Sequence, residues 1–224
     1  MNKIIFFFIL TFLQISFGQK KYHFDYALEF DQKLNFDGKD SVNVFLVNSK
    51  ENSYRLFLME KESDYKFVMI DYKGNHFNGL LPNQTFIKAE TINIECNTVG
   101  KYNNLYKDKV KNYFFENLND TIINDVSYYH YAIKSNKSIK YQKRKKIVTY
   151  HYIIDKNSPD FLPFFYKVTP YNEWLKEKNV PNGKPFMIYY VNLEGEITFK
   201  MKLKNIVKID KYFTIPEECD RNDE

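Results

Sequence analysis

Alternation of apolar and polar positions runs through most of the first half of the chain. In YHFDYALEF, Tyr22 to Phe30, the residues Phe24, Tyr26, Leu28 and Phe30 fall on one side. His23, Asp25, Ala27 and Glu29 fall on the other. A period of two predicts a half-buried strand. SVNVFLVN repeats the pattern with Val42, Val44 and Leu46, SYRLFLME with Tyr54, Leu56 and Leu58, and YKFVMIDY with Phe67 and Met69 before the turn Lys73-Gly74-Asn75. TFIKA and TINIEC follow as further short strands, with Ile92 and Ile94 in step. Strands recurring about every ten residues signal an antiparallel meander in a sandwich or barrel.

The period then changes. Tyr102, Tyr106, Val110, Phe114 and Leu118 recur every four residues, which predicts a helix. The pair Phe114-Phe115 also suits the start of a strand. TIINDVSYYHYAI and KIVTYHYIID read as two strand arms around a basic run. Pro159, Pro163 and Pro170 exclude a long regular element before a turn at Pro170. Tyr171 to Lys178 reads as a short helix anchored by Trp174 and Leu175 and closed by Pro181 and Gly183. FMIYYVN and EITFKMKLKNIVKI make a hairpin about Leu193-Glu194-Gly195. Ile197, Phe199, Met201 and Leu203 take one face of its second arm, and Lys200, Lys202 and Lys204 the other.

The amino terminus differs from everything after it. Lys3 precedes Ile4 to Leu13, ten residues of which nine are apolar, and Ser16-Phe17-Gly18 ends in a small residue. This is the pattern of a secretory signal peptide cut between Gly18 and Gln19. The run is shorter than the roughly 20 residues of a membrane-spanning helix. Gln19 follows the cut where a bacterial lipoprotein has cysteine, so the expected product is soluble, exported and not lipid-anchored, in the periplasm or outside the cell. The expected organisation is a signal peptide over 1–18, one β-rich domain over 19–216 and an acidic tail over 217–224.

Composition supports sheet: 18% of residues are aromatic, including 19 Tyr and 21 Phe. The same Lys, Asn, Ile, Tyr and Phe richness fits an AT-rich genome. Export permits a disulfide between the two cysteines, Cys96 and Cys219, but spacing alone leaves their pairing open.

Lys134 to Lys146 carries seven positive charges and no acid. Tyr141 is its one aromatic, too few for stacking single-stranded nucleic acid, and export argues against such a partner. Ile139 and Tyr141 alone make no apolar stripe for a membrane helix. Two readings remain. One is a solvated hairpin loop that keeps a sheet edge from pairing. The other is a patch of Lys140, Lys143, Arg144, Lys145 and Lys146 for the headgroups of an anionic membrane surface.

No HExxH, CxxC, GxSxG or phosphate-binding glycine loop occurs, and no cofactor is expected. His130 and His151 sit in matching contexts, YYHYAI and TYHYII. A hairpin centred near Lys140 would set them opposite one another, within about 5 Å at Cβ. That suits the start of a zinc or copper site, or two exposed strand histidines. No third ligand is marked by spacing, so no metal is assigned. The acidic pairs Asp25 with Glu29 and Glu60 with Glu62 read as solvated strand faces. In FLPFFYKVTPYNEWL, the residues Phe161, Phe164, Phe165, Tyr166 and Trp174 form either a plug of core or a lid over an apolar pocket.

The order of elements, with the connector NDTIINDVSYYHY, the short helix before NVPNGKP and the closing hairpin ending FTIP, resembles the exported open-barrel proteins of the lipoprotein-carrier (LolA-like) type, including small uncharacterised relatives in Bacteroidota. The resemblance implies a mainly β, α+β fold: a curved antiparallel open barrel wrapped around a few helices. It also implies an apolar small molecule or lipid held on the concave side, without catalysis. The expected function is therefore an exported envelope binding module. A scaffold whose barrel is filled by its own side chains is the alternative, and a metal-dependent hydrolase the remoter one.

Overall fold

The computed structural model describes residues 19–34, 40–104 and 107–220. Residues 1–18, the expected signal peptide, and residues 221–224, the last four of the expected acidic tail, lie outside the described residues. Twelve strands form one sheet. They are β1 (Gln19–Leu34), β2 (Asp40–Val47), β3 (Tyr54–Lys61), β4 (Asp64–Asp71), β5 (Asn75–Pro82), β6 (Thr91–Asn93), β7 (Val99–Lys101), β8 (Tyr113–Ile123), β9 (Val126–Ser135), β10 (Thr149–Asp155), β11 (Pro185–Val191) and β12 (Ile197–Pro216). Among the described residues three α-helices interrupt them: α1 (Asn83–Lys88), α2 (Ile139–Lys145) and α3 (Val168–Glu177). The strand order is β7-β5-β4-β3-β2-β1-β12-β11-β10-β9-β8, with β6 pairing in parallel with β12 and every other pair antiparallel. The ends of this path, β7 and β8, do not pair, so the sheet is an open barrel, as the resemblance implies.

The register follows from the turns. Asn124 and Asp125 take φ of 50° and 62°, the left-handed pair that lets β8 reverse tightly into β9. Tyr150 pairs with Ile133 and Asp155 with Tyr128, so the arms around the basic run do form a hairpin. The run itself is not a loop. Ser138 caps α2 by accepting from the Tyr141 amide, and Lys146 closes the helix in a left-handed conformation.

Apolar residues gather in two clusters. One holds Leu28, Phe30, Phe45, Ile133, Tyr152, Ile188 and Met201, roofed by the 156–167 segment and α3. The other holds Tyr22, Phe24, Leu56, Phe67, Phe77 and Phe213, roofed by α1 and β6 through Phe86 and Ile92. The expected single face of β1 is thus divided. A bulge between Phe24 and Tyr26 sends the residues before it to one cluster and those after it to the other.

Four further expectations change. TFIKA lies in α1 rather than a strand. Over the described part of 102–118 the fourfold repeat does not make a helix, and Tyr106 lies outside the described residues. A short 3₁₀ turn (Lys107–Asn112) leads into β8, where Tyr113 and Phe115 pack against the first cluster while Phe114 faces out. α3 begins at Val168, ahead of Pro170. Proline fits there because the first turn has no acceptor for its missing N–H. Trp174 is buried, but Leu175 is 48% exposed and anchors nothing. At the end of the chain, Glu217–Cys219 form one 3₁₀ turn, and a disulfide joins Cys219 to Cys96 with Cα atoms 5.4 Å apart.

Candidate functional site

The concave side is where the aromatic segment lies. None of Phe161, Phe164, Phe165 and Trp174 is more than 7% exposed. Phe164 packs between Phe30 and Phe45, with ring centres 5.8 and 5.4 Å away. Phe165 meets Tyr152 and Trp174 at 6.0 and 5.8 Å. Tyr166 stacks on Phe199 at 5.5 Å. Among the described residues the segment has no strand partner. Side chains from the β2–β4 region hold three of its carbonyls. Asn52 Nδ2 donates to Pro163, Tyr72 Oη to Phe165 and Arg55 Nη2 to Tyr166, at 2.9, 2.9 and 3.1 Å.

The void left beneath it, bordered by Arg55, Tyr72, Phe161 and Phe164, is about 10 Å³, room for one water at most. Phe161, Phe164, Phe165 and Trp174 thus pack against the sheet and against one another, with Tyr166 half-buried beside them. Two polar atoms are buried there with no hydrogen-bond partner among the described residues, Tyr152 Oη and Tyr190 Oη. Burial pushes both phenols well above their ordinary pKa.

The second expected site fares differently. Beside α2 a groove of about 470 Å³ opens towards the β11–β12 turn. Ile147, Val148 and Leu193 supply its apolar lining, Lys143 and Lys146 its ammonium groups, and Glu194 one opposing charge. Lys140, Arg144 and Lys145 are exposed on the same helix but do not line the groove. Lys143, Arg144 and Lys145 also complement the negative end of the α2 dipole.

His130 and His151 are brought together, though diagonally rather than directly opposed. His151 pairs with Ala132, and His130 with Ile153. His130 Nε2 lies 3.0 Å from His151 Nδ1. Tyr189, across from His151 on β11, points its hydroxyl at the same His130 nitrogen from 3.2 Å.

Reading the sequence missed Arg55, Asn52, Tyr72 and Tyr189. Arg55 did carry a signal: it is one of three arginines in a chain that otherwise uses lysine, and it sits opposite the apolar face of its strand. Arginine is the cation suited to fixed, planar donation inside a protein. Asn52 and Tyr72 lie at strand ends and carry no comparable mark.

The class the geometry defines is an open antiparallel half-barrel with helices against it. No protein-family model matches the chain, and no curated protein matches it in sequence. Among solved structures it is similar to an uncharacterised conserved protein from Thermus thermophilus, at 6% identity and a TM-score of 0.43 over 83% of this chain and 79% of that one. It is similar to the MucA/MucB complex of Pseudomonas aeruginosa at 6% identity and 0.36, over 82% of this chain and 51% of that one. A LolA superfamily protein from Nitrosomonas europaea gives 12% and 0.28, over 82% and 84%. Likenesses of this size assign no function.

Proposed function

We propose that this chain is an exported binding module of the cell envelope, without catalysis, that holds an anionic amphiphile such as a lipid. The observation that carries the reading is the groove beside α2. Ile147, Val148 and Leu193 offer an apolar lining while Lys143 and Lys146 wait for an acidic headgroup. Its volume lies in the range of small-molecule sites, about 300–1,000 Å³. Binding would come from apolar burial at roughly 25 cal/mol per Å² and from about 1 kcal/mol per well-placed lysine. The Cys96–Cys219 bridge suits an oxidising compartment and supports export. The expectation from sequence was a lipid or other apolar ligand on the concave face; the groove beside α2 is the place proposed for it here.

Native mass spectrometry of protein taken from its own host's envelope tests the reading. A co-purifying acidic lipid is expected, lost in the Lys143→Glu, Lys146→Glu double variant. With purified protein, binding to vesicles containing phosphatidylglycerol should fall at least about 30-fold in that variant, the equivalent of two lysines. A bare mass together with vesicle binding indifferent to both substitutions counts against it. The second reading, a scaffold whose barrel is filled by its own side chains, is favoured by the 10 Å³ void under the aromatic segment. It expects the bare mass.

A further inference from the structure

On the side of the sheet away from the aromatic plug, three donor atoms from three strands converge. The geometry points to a binding site for a divalent transition metal of the copper or zinc class, formed by His130 Nε2, His151 Nδ1 and Tyr189 Oη.

Distances come first. His130 Nε2 is 3.0 Å from His151 Nδ1 and 3.2 Å from Tyr189 Oη. Ligands bound at about 2.0–2.1 Å around one ion stand a little over 3 Å from each other. A small movement of one ring therefore admits an ion between them. Neither imidazole is loose. His151 lies flat on Tyr189, with ring centres 4.6 Å apart and planes within 6°. The other nitrogen of His130, Nδ1, meets Thr121 Oγ1 at 3.1 Å. A hydrogen bond on the far nitrogen is the usual way a ligating imidazole is oriented and its tautomer chosen.

Hydrogen-bond accounting gives the second argument. His130 Nε2 has two neighbours at hydrogen-bond distance, His151 Nδ1 and Tyr189 Oη. A neutral imidazole nitrogen offers either one N–H or one lone pair, so whichever tautomer His130 takes, only one of these contacts is a well-aligned hydrogen bond. A cation in the middle accepts a lone pair from each of the three atoms.

The charged neighbours of the site come as a pair. Lys134 opposes a cation here, but it is ion-paired with Glu116, whose charge favours one. Two imidazoles with a phenol oxygen select zinc, copper or nickel over magnesium or calcium, which prefer all-oxygen shells. All three residues are only partly buried, so a water can complete the shell. Sequence could not supply the third ligand, because Tyr189 lies 59 positions beyond His130.

The test uses the disulfide-bonded chain without its signal segment, in a buffer that does not bind metal. Titration with Cu²⁺ or Zn²⁺ alone, followed by calorimetry, should give one saturable equivalent. His130→Gln and His151→Gln should each weaken it at least about tenfold, whereas His23→Gln and His76→Gln should leave it unchanged. Tyr189→Phe should weaken Cu²⁺ binding less and alter its visible absorption. Binding that survives loss of both His130 and His151, or no saturable binding at all, overturns the proposal. Should a variant fail to fold, the wild-type imidazole NMR signals decide on adding Zn²⁺. Shifts at His130 and His151 support the site, and shifts confined to His23 or His76, or none, overturn it.

Discussion

Tyr72 and Phe165, 93 residues apart, are joined by one hydrogen bond: the Tyr72 hydroxyl donates to the Phe165 carbonyl at 2.9 Å while accepting from Arg55 Nε at 3.0 Å. This hydroxyl is the meeting point between the sheet and the aromatic plug. Tyr72→Phe keeps the ring and removes the link, leaving a buried carbonyl and a guanidinium N–H without their partner. Stability should fall by about 1–3 kcal/mol. Amide exchange over 156–167 should quicken more than exchange in β9 or β12. Uniform quickening, or none, would show that the plug is held by packing alone.

Gly183 is where the chain returns from α3 to the sheet. Its amide donates to the Phe161 carbonyl at 2.7 Å. A Cβ added there would lie 2.4 Å from the Asp155 carbonyl oxygen and 2.4 Å from Ile154 Cγ2, at a φ of 156°. Backbone cannot yield as a side-chain tip can, so Gly183→Ala should cost about 2 kcal/mol or more in a urea titration. Gly195, with open space around it, is the control in space but not in backbone, since its φ is 84°.

Glu173 is 1% exposed on α3, and its Oε2 has no hydrogen-bond partner among the described residues. Burial raises its pKa, with Lys176 opposing the shift and Glu177 adding to it. The folded chain therefore holds this proton more tightly than the unfolded chain. Above the raised value the native state carries the full cost of a buried carboxylate. As pH falls towards the ordinary value of about 4.3, that cost disappears. Glu173→Gln should accordingly stabilise the protein at pH 7 by about 1 kcal/mol, with the gain shrinking as pH drops. Melting curves at several pH values decide it, and a gain that grows on acidification contradicts the assignment.

The Cys96–Cys219 bridge spans 123 positions and ties the end of the chain to the segment between β6 and β7. Reduction should lower stability by about 2–4 kcal/mol. A Cys96→Ala, Cys219→Ala double variant should start at that lower value and ignore reductant. A parent protein equally indifferent to reductant would refute the bridge.

The strands were legible where side chains alternate strictly, as at Leu56, Leu58, Phe67 and Met69, because one buried face imposes a period of two. The pairing of the arms around the basic run was legible for the same reason. The 102–118 segment misled because its fourfold repeat of Tyr and Phe is also met by a turn followed by a strand that buries Tyr113 and Phe115. Cross-strand packing then outweighed local periodicity. The basic run misled in the opposite sense: Ser138 as a cap and cations in the last turn suit a helix, yet a short helix leaves little apolar pattern. The site was legible in its residue types but not in its occupancy. Phe161, Phe164 and Phe165 were visibly destined for an apolar place; whether they line a space or fill it depends on chain geometry that no local pattern encodes.

β1 and β12 run side by side along the whole of β1, from Gln19 against Pro216 to Leu34 against Phe199. Phe24 and Phe213 belong to one apolar cluster, Phe30 and Met201 to the other. Neither half of the molecule therefore possesses a framework of its own. Melting that starts under α1 must part the same pair of strands that supports α3, so heat should take the protein apart in a single cooperative step, seen as one calorimetric peak.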